Sequence, residues 1–242
     1  MRALLLPVKD LRNSKQRLVG VLTPDERFAL AQAMLADTFR AVSGVRRADK
    51  IFVVTNYTPA MQIAREHRWE ILAEEQQLSE SASVDSASRQ CEALGITSLL
   101  RLPLDLPLVQ ACDIDELLAI DCTAPAMLIV PSRDGTGTNA LLRTPPTIFP
   151  SHFGPDSFTK HCNEANRAGA QIIARRNPRL EMDIDDESDL RALLQLDLTG
   201  TATGAFFQRS GLVQRLRIES PGGTAKKLAQ DGSAVFAEPK PG

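Results

Sequence analysis

Short apolar runs alternate with amphipathic stretches along almost the whole chain, and this alternation does most to narrow the folds open to it. Residues 3–8 read as a buried strand closed by a polar loop over 9–17. In Thr23-Pro24-Asp25-Glu26, Thr23 suits an N-cap, Pro24 the first helical position and Glu26 the return bond of a capping box. The helix so opened places Ala31, Met34, Leu35, Thr38, Phe39 and Val42 near one face and ends around Ser43-Gly44. The pattern then repeats. Strands are expected over 51–55, 70–73, 97–102, 126–130, 139–143, 171–174 and 180–184. Helices are expected from Thr58-Pro59 and over 83–94, 113–121, 157–168 and 187–196. Such alternation builds βαβ units, so the expected class is α/β, with a Rossmann-like, mostly parallel sheet and helices on both faces. Ligands of these sheets bind outside the carboxyl ends of the strands.

Beyond Leu198 the composition shifts to Gly, Thr, Ala, Lys and Pro. Phe206-Phe207 and residues 212–218 suit one added strand, and 221–242 read as a loosely ordered tail. The expected organisation is one domain over 1–198 and a C-terminal extension, partly ordered or flexible, over 199–242. A formal net charge of −2 gives no overall basic field for nucleic acid or an anionic membrane. Four cysteines without CxxC spacing suggest buried free thiols in a reducing compartment. Lys9 and Asp10 interrupt the opening apolar run too early for a signal peptide, and a cytoplasmic protein is expected.

The polar loops carry the chemistry. Lys9, Arg12, Lys15 and Arg17 put four cations after the first strand, where many α/β proteins hold nucleotide phosphates; a solvated basic loop is the plainer alternative. No GxxxxGK[ST] is present, so this is not a Walker P-loop. In Leu102-Pro103-Leu104-Asp105-Leu106-Pro107, an aspartate among apolar residues needs a cation, for which magnesium is suited, or backbone donors in a Pro-shaped turn. In an extended chain Asp183 and Asp185 share a face, and paired carboxylates ask for a divalent ion; Asp186, Glu187 and Asp189 suit a helix cap and first turn. Arg133-Asp134-Gly135-Thr136-Gly137-Thr138-Asn139 reads either as a glycine-rich nest aiming amides and the Thr138 hydroxyl at an anion or as an ordinary hairpin turn. Gly154 and Ser157 open a helix whose free amides suit an anion, with Ser157 as plain N-cap the alternative. His152 and His161 form no recognisable triad.

Taken together, PVK…SKQRL, the DLP after the central strand, RDGTGTNALL, FGPDSF before a helix with His161, and DIDDESDL resemble the 2-phospho-L-lactate guanylyltransferase family, over residues 3 to about 196. The resemblance implies a single-domain nucleotidyltransferase fold. It also implies transfer of GMP from GTP to the phosphate of a three-carbon phospho-acid (2-phospho-L-lactate, phosphoenolpyruvate or 3-phospho-D-glycerate), with pyrophosphate released, in 8-hydroxy-5-deazaflavin coenzyme biosynthesis. The residues it implies are Lys9, Lys15 and Arg17 on phosphates, with Asp105 and Asp183 or Asp185 on Mg2+. Thr138, Asn139, Gly154 and Ser157 would hold the acid. Pro7, Ser83 and Asp85 complete the implied nucleotide set. Relatives carry a Gly-Leu-Asn loop for the base; here Ser79-Glu80-Ser81-Ala82-Ser83-Val84-Asp85 stands instead, with Asp85 near the Asn position to accept from guanine N1 and N2. Hand-off to a downstream transferase and a homodimer are further expectations. A metal-dependent glycosyltransferase and a non-catalytic nucleotide-binding module are the competing readings.

Overall fold

The computed structural model describes residues 1–74 and 79–217; the expected tail over 221–242 lies outside them. Seven strands form one sheet: β1 Arg2–Val8, β2 Lys50–Thr55, β3 Glu70–Ala73, β4 Ser98–Arg101, β5 Ala126–Pro131, β6 Thr138–Thr144 and β7 Gln171–Ala174. Their spatial order is β3-β2-β1-β4-β6-β5-β7. All neighbours run parallel except β6, which is antiparallel to both β4 and β5. β4, β5 and β6 are buried at every position, as befits strands covered on both faces, while the edge strands β3 and β7 are only half-buried.

Eight helices accompany the sheet among the described residues: α1 Pro24–Ser43, α2 Thr58–Glu66, α3 Glu80–Ala93, α4 Ala111–Ala119, α5 Ser157–Arg167, α6 Glu187–Leu193, α7 Ala202–Ser210 and α8 Leu212–Arg217. The expected capping box starts α1: the Glu26 amide donates to Thr23 Oγ1 at 3.2 Å and the Thr23 amide to Glu26 Oε2 at 2.9 Å. On one face of the sheet Leu4, Leu6, Val53, Leu100 and Leu128 pack with Leu35, Phe39 and Val42 of α1 and Leu117 of α4. On the other, Leu5, Phe52 and Leu99 meet Val84 and Ala87 of α3, and Met127, Ile129 and Leu141 meet Ala165 of α5.

α1 is buried on two sides rather than one. Leu30 and Met34 face away from the sheet into a separate cluster with Leu190, Leu193, Phe206, Phe207 and Leu212. Met34 therefore does not share the sheet-facing stripe expected of it. This outer cluster also explains the C-terminal elements. The expected strand at Phe206-Phe207 and 212–218 is instead the helix pair α7 and α8 over the described residues, capped by Thr201 Oγ1 accepting from the Gly204 amide and separated by Gly211 at φ +64. The expected strand over 180–184 is an irregular segment. Leu180, Met182 and Ile184 are buried, but Leu180 O accepts from the Asn139 side chain rather than from a strand. Of the cysteines, Cys91 is buried and Cys112 exposed, so burial is not general. No helix among the described residues is long and apolar enough to cross a membrane.

The chain leaves β1 for β2 and β3 on one side, then returns to place β4 on the other. Strand order thus reverses between β1 and β4, and a crevice opens there, outside the carboxyl ends of the strands.

Candidate active site

Two adjoining cavities of about 430 and 420 Å³ occupy this switch point. The first is lined by Pro7, Lys9, Lys15, Arg17 and Asp105, the second by Thr138, Asn139, Gly154, Ser157 and Asp183. Arg17, Glu80, Arg101, Pro103, Asp105 and Asp185 border both. A larger cavity of about 710 Å³ lies by α1, α4 and the segment before α7, but its arginines are already engaged. Arg40 donates to Asp37 Oδ1 at 2.5 Å and Gly200 O at 2.7 Å, and Arg179 is paired with Asp113. The crevice is the candidate site.

Lys15 stands at its centre. Its backbone is left-handed at φ 54, a conformation unfavourable for a side chain with a Cβ, where the chain enters a short 3-10 turn over Gln16–Leu18. Its side chain is 9% exposed, and its ammonium lies 2.6 Å from Asp105 Oδ2 and 3.2 Å from Asp185 Oδ1. Burial opposes that charge, but Asp105 and Asp185 outweigh it and hold the ammonium above the ordinary lysine range. Arg17 approaches Asp185 Oδ2 at 3.6 Å. Lys9 lines the same wall, beside Pro7.

The carboxylates are not equivalent. Burial would raise Asp105, yet Lys15 and, behind it, Arg101 keep it below the ordinary carboxylate range. Asp183 is pushed up to about 7, first by burial and then by the negative charge of Asp105. One hydrogen bond from Asn139 Nδ2, at 3.0 Å, acts in the opposite direction. Asp185 is half-exposed. No group of three or more His, Cys, Asp or Glu is clustered tightly enough to hold a metal ion by itself among the described residues. The cation now between Asp105 and Asp185 is Lys15. Asp186 and Asp189 cap α6 reciprocally, as expected, and Asp189 also receives Arg133 at 2.8 Å.

The glycine-rich loop is the turn of the β5–β6 hairpin, and its amides are turned inward. Asp134 accepts from the Thr136 amide at 3.0 Å, Ser132 Oγ from the Gly137 amide at 2.7 Å, and Ser132 O from the Gly135 amide at 2.9 Å. The expected anion nest is therefore not formed by these donors. Gly135 does need positive φ, at +81, but Gly137 is needed for space, since a Cβ there would sit 2.7 Å from Ser132 Oγ. What the turn does present to the crevice is Thr138, at the start of β6. Thr138 Oγ1 lies 3.0 Å from His161 Nδ1. Gly154, at φ +112, leads to α5, whose N-cap is Asp156 rather than Ser157; Ser157 is the first helical residue.

Ser83 and Asp85 are not among the residues lining the crevice. Ser83 Oγ donates to Ser79 O at 3.0 Å, inside α3. Asp85 accepts from Arg143 at 3.1 Å and from the Ser151 amide and hydroxyl at 3.0 and 2.7 Å. Its carboxylate fixes the loop before α5, which corrects the expected contact with a guanine base. Arg101 was the missed residue. It is 7% exposed, pairs with Glu80, donates to Thr138 O at 3.2 Å and stacks 4.1 Å from the Phe153 ring centroid. A charged residue closing the apolar run Ser98-Leu99-Leu100 was the available signal.

Residues 1–221 match the family model described as "Guanylyl transferase CofC like". A phosphoenolpyruvate guanylyltransferase of Conexibacter woesei is 33% identical over 88% of this chain and 96% of its own length. That of Roseiflexus castenholzii is 37% identical over 79% of this chain and 87% of its own. Among solved structures, a nucleotidyl transferase from Methanothermobacter thermautotrophicus superposes with a TM-score of 0.57 at 12% identity, covering 86% of this chain and 98% of that one, a likeness of fold alone.

Proposed function

This chain belongs to the CofC-like guanylyl transferase family and is a nucleotidyltransferase; from that premise we propose that it moves GMP from GTP onto the phosphate of a three-carbon phospho-acid. Phosphoenolpyruvate is the first choice of acceptor, being the substrate in the names of both relatives above. The step would serve assembly of the 8-hydroxy-5-deazaflavin coenzyme. The observation that carries the reading is the meeting of Lys9, Lys15, Arg17, Asp105 and Asp185 in one cavity that adjoins a second lined by Asp183, Thr138, Asn139, Gly154 and Ser157.

An acceptor phosphate oxygen attacks the α-phosphorus of GTP, the α–β bridging bond breaks, and pyrophosphate leaves with the electron pair. The acceptor is already an anionic nucleophile, so no Ser, Cys or His need be activated. Two polyanions must instead be brought together, and the work is positioning and charge neutralisation. Lys9, Lys15 and Arg17 offset repulsion on the nucleotide side. Thr138, Gly154 and Ser157 orient the acid, and Asn139 holds Asp183 in place.

The donor set suits magnesium: hard carboxylate oxygens, with Asp183 raised to about 7 first by burial and then by the negative charge of Asp105, a repulsion that a dication relieves. Asp105, Asp183 and Asp185 would hold it, and when bound it supplies neutralisation of phosphate charge. We assign this chemistry to residues 1–198. The product, a mixed diphosphate, is an activated donor fit for hand-off to a second transferase. Pyrophosphate release with GTP, measured for phosphoenolpyruvate, 2-phospho-L-lactate and 3-phospho-D-glycerate in turn, tests the reading. Turnover with none of them, or with a nucleotide sugar instead, overturns it.

A further inference from the structure

His161 is wholly buried in the second turn of α5, yet both of its ring nitrogens are engaged. Nε2 lies 2.9 Å from the backbone amide nitrogen of His152. That amide is a donor and nothing else, so Nε2 must be the bare nitrogen that accepts. The ring proton then resides on Nδ1, which faces Thr138 Oγ1 at 3.0 Å. Nδ1 therefore donates and the threonine oxygen accepts.

The direction of that bond decides what Thr138 can do. A hydroxyl carries a single proton. Had the ring been protonated on Nε2, Thr138 would have to give its proton to Nδ1 and would turn only lone pairs to the crevice. With the proton on Nδ1, the Thr138 O–H is released to point at an anion. We propose that His161 is a positioning residue for acceptor recognition: by donating from Nδ1 to Thr138, it fixes the threonine hydroxyl as a donor toward the carboxylate or phosphate of the acceptor acid. This rests on the phospho-acid reading above.

The surroundings favour the same state. The ring packs edge-on against Phe153, centroids 5.0 Å apart, and Arg101 holds the backbone of Thr138 from the strand side. Burial first, then the positive charges of Arg143 and Arg101, lower the imidazole to about 3, so it stays neutral where the enzyme works. An imidazolium would also set an N–H against the His152 amide.

The first test does not depend on activity. Nitrogen-15 NMR of the histidine rings in the full chain at pH 7, assigned by difference with His161→Phe, is expected to show one ring with Nδ1 protonated and Nε2 bare. A ring protonated on Nε2, or on both nitrogens, overturns the proposal. The second test separates Thr138 from the loop at His152. His161→Asn keeps an amide donor near the Nδ1 position, whereas His161→Gln keeps a polar group only near Nε2. Gln and Phe are expected to raise the acceptor KM about tenfold or more, the scale of one hydrogen bond to a charged group, with the GTP KM unchanged, and Asn to recover most of the loss. In a Thr138→Val background His161→Phe should add no further loss. Rescue by Gln rather than Asn, or full additivity with Thr138→Val, assigns His161 to the loop alone and refutes the proposal. If the wild-type protein uses no phospho-acid, the proposed function fails, and the NMR result still stands or falls by itself.

Discussion

Lys15 Nζ and Asp105 Oδ2 meet at 2.6 Å across 90 positions of sequence, joining the loop after β1 to the turn after β4. The same ammonium reaches Asp185, so one lysine ties together three of the loops that form the crevice. A side chain expected on phosphate oxygens thus serves first as the counter-ion of the acidic residues.

Asp105→Asn is expected to keep the fold and lower turnover by about 100-fold or more, the scale of losing one preorganised electrostatic group. Pyrophosphate release at saturating magnesium, with circular dichroism as the control for folding, measures it. Near-normal turnover would remove Asp105 from the site.

Asp183→Asn should cost activity but gain stability. The folded carboxyl titrates near 7, whereas an unfolded aspartate titrates near 3.9. Between those values the folded protein keeps a proton that the unfolded chain has lost, so rising pH destabilises the wild type across that window, and the whole penalty is present above it. The Asn variant is expected to melt a few degrees above wild type at pH 8 without divalent ions, the gap closing toward pH 4. Melting curves in that order reversed would contradict the assignment.

Ser157→Ala is expected to raise the acceptor KM about tenfold while leaving the GTP KM within experimental scatter, as a lost hydrogen bond to an anion would. Steady-state kinetics with each substrate varied in turn decide it. A rise in the GTP KM alone would mean that the two cavities have been assigned the wrong way round.

Asp85→Ala should unfold more easily without altering base preference. Removing it strands Arg143, which is almost fully buried and held otherwise by Phe149 O and Ser88 Oγ, and loss of one partner of a buried pair costs about 3 kcal/mol. Chemical denaturation gives the stability, and turnover with GTP against ATP gives the preference. Unchanged stability with a switched base would restore Asp85 as the reader of guanine.

These cases mark where the sequence was legible. The alternation of apolar runs fixed the sheet and its helices, and the capping residues of α1 and α6 named their own starts. The segment over 180–184 misled because Leu180, Met182 and Ile184 alternate as a strand does, while their burial comes from packing without a ladder. Phe206 and Phe207 misled through strand preference, although Thr201 and Gly211 bracket a helix in a way that could have been read. Within the site, Asp105 was visible as a charge among apolar residues, Lys15 as one of four cations after the first strand, and Asp185 as one of two carboxylates on a shared face. Arg101 left a signal, a charge closing the apolar run of β4, but its partners and those of Asp85 were not legible, because they depend on which elements the folded chain sets side by side.

The reversed direction of β6 has an evolutionary reading. Running opposite to its neighbours, it begins where β1 and β4 finish, so the residues proposed to face the acceptor are delivered by a hairpin and the approach to α5. On the proposed function, substitutions there would retune which acid is taken while the lysine–aspartate half, on the loops after β1 and β4, is left intact. Divergence among such enzymes should accordingly concentrate in the β5–β6 turn and the approach to α5.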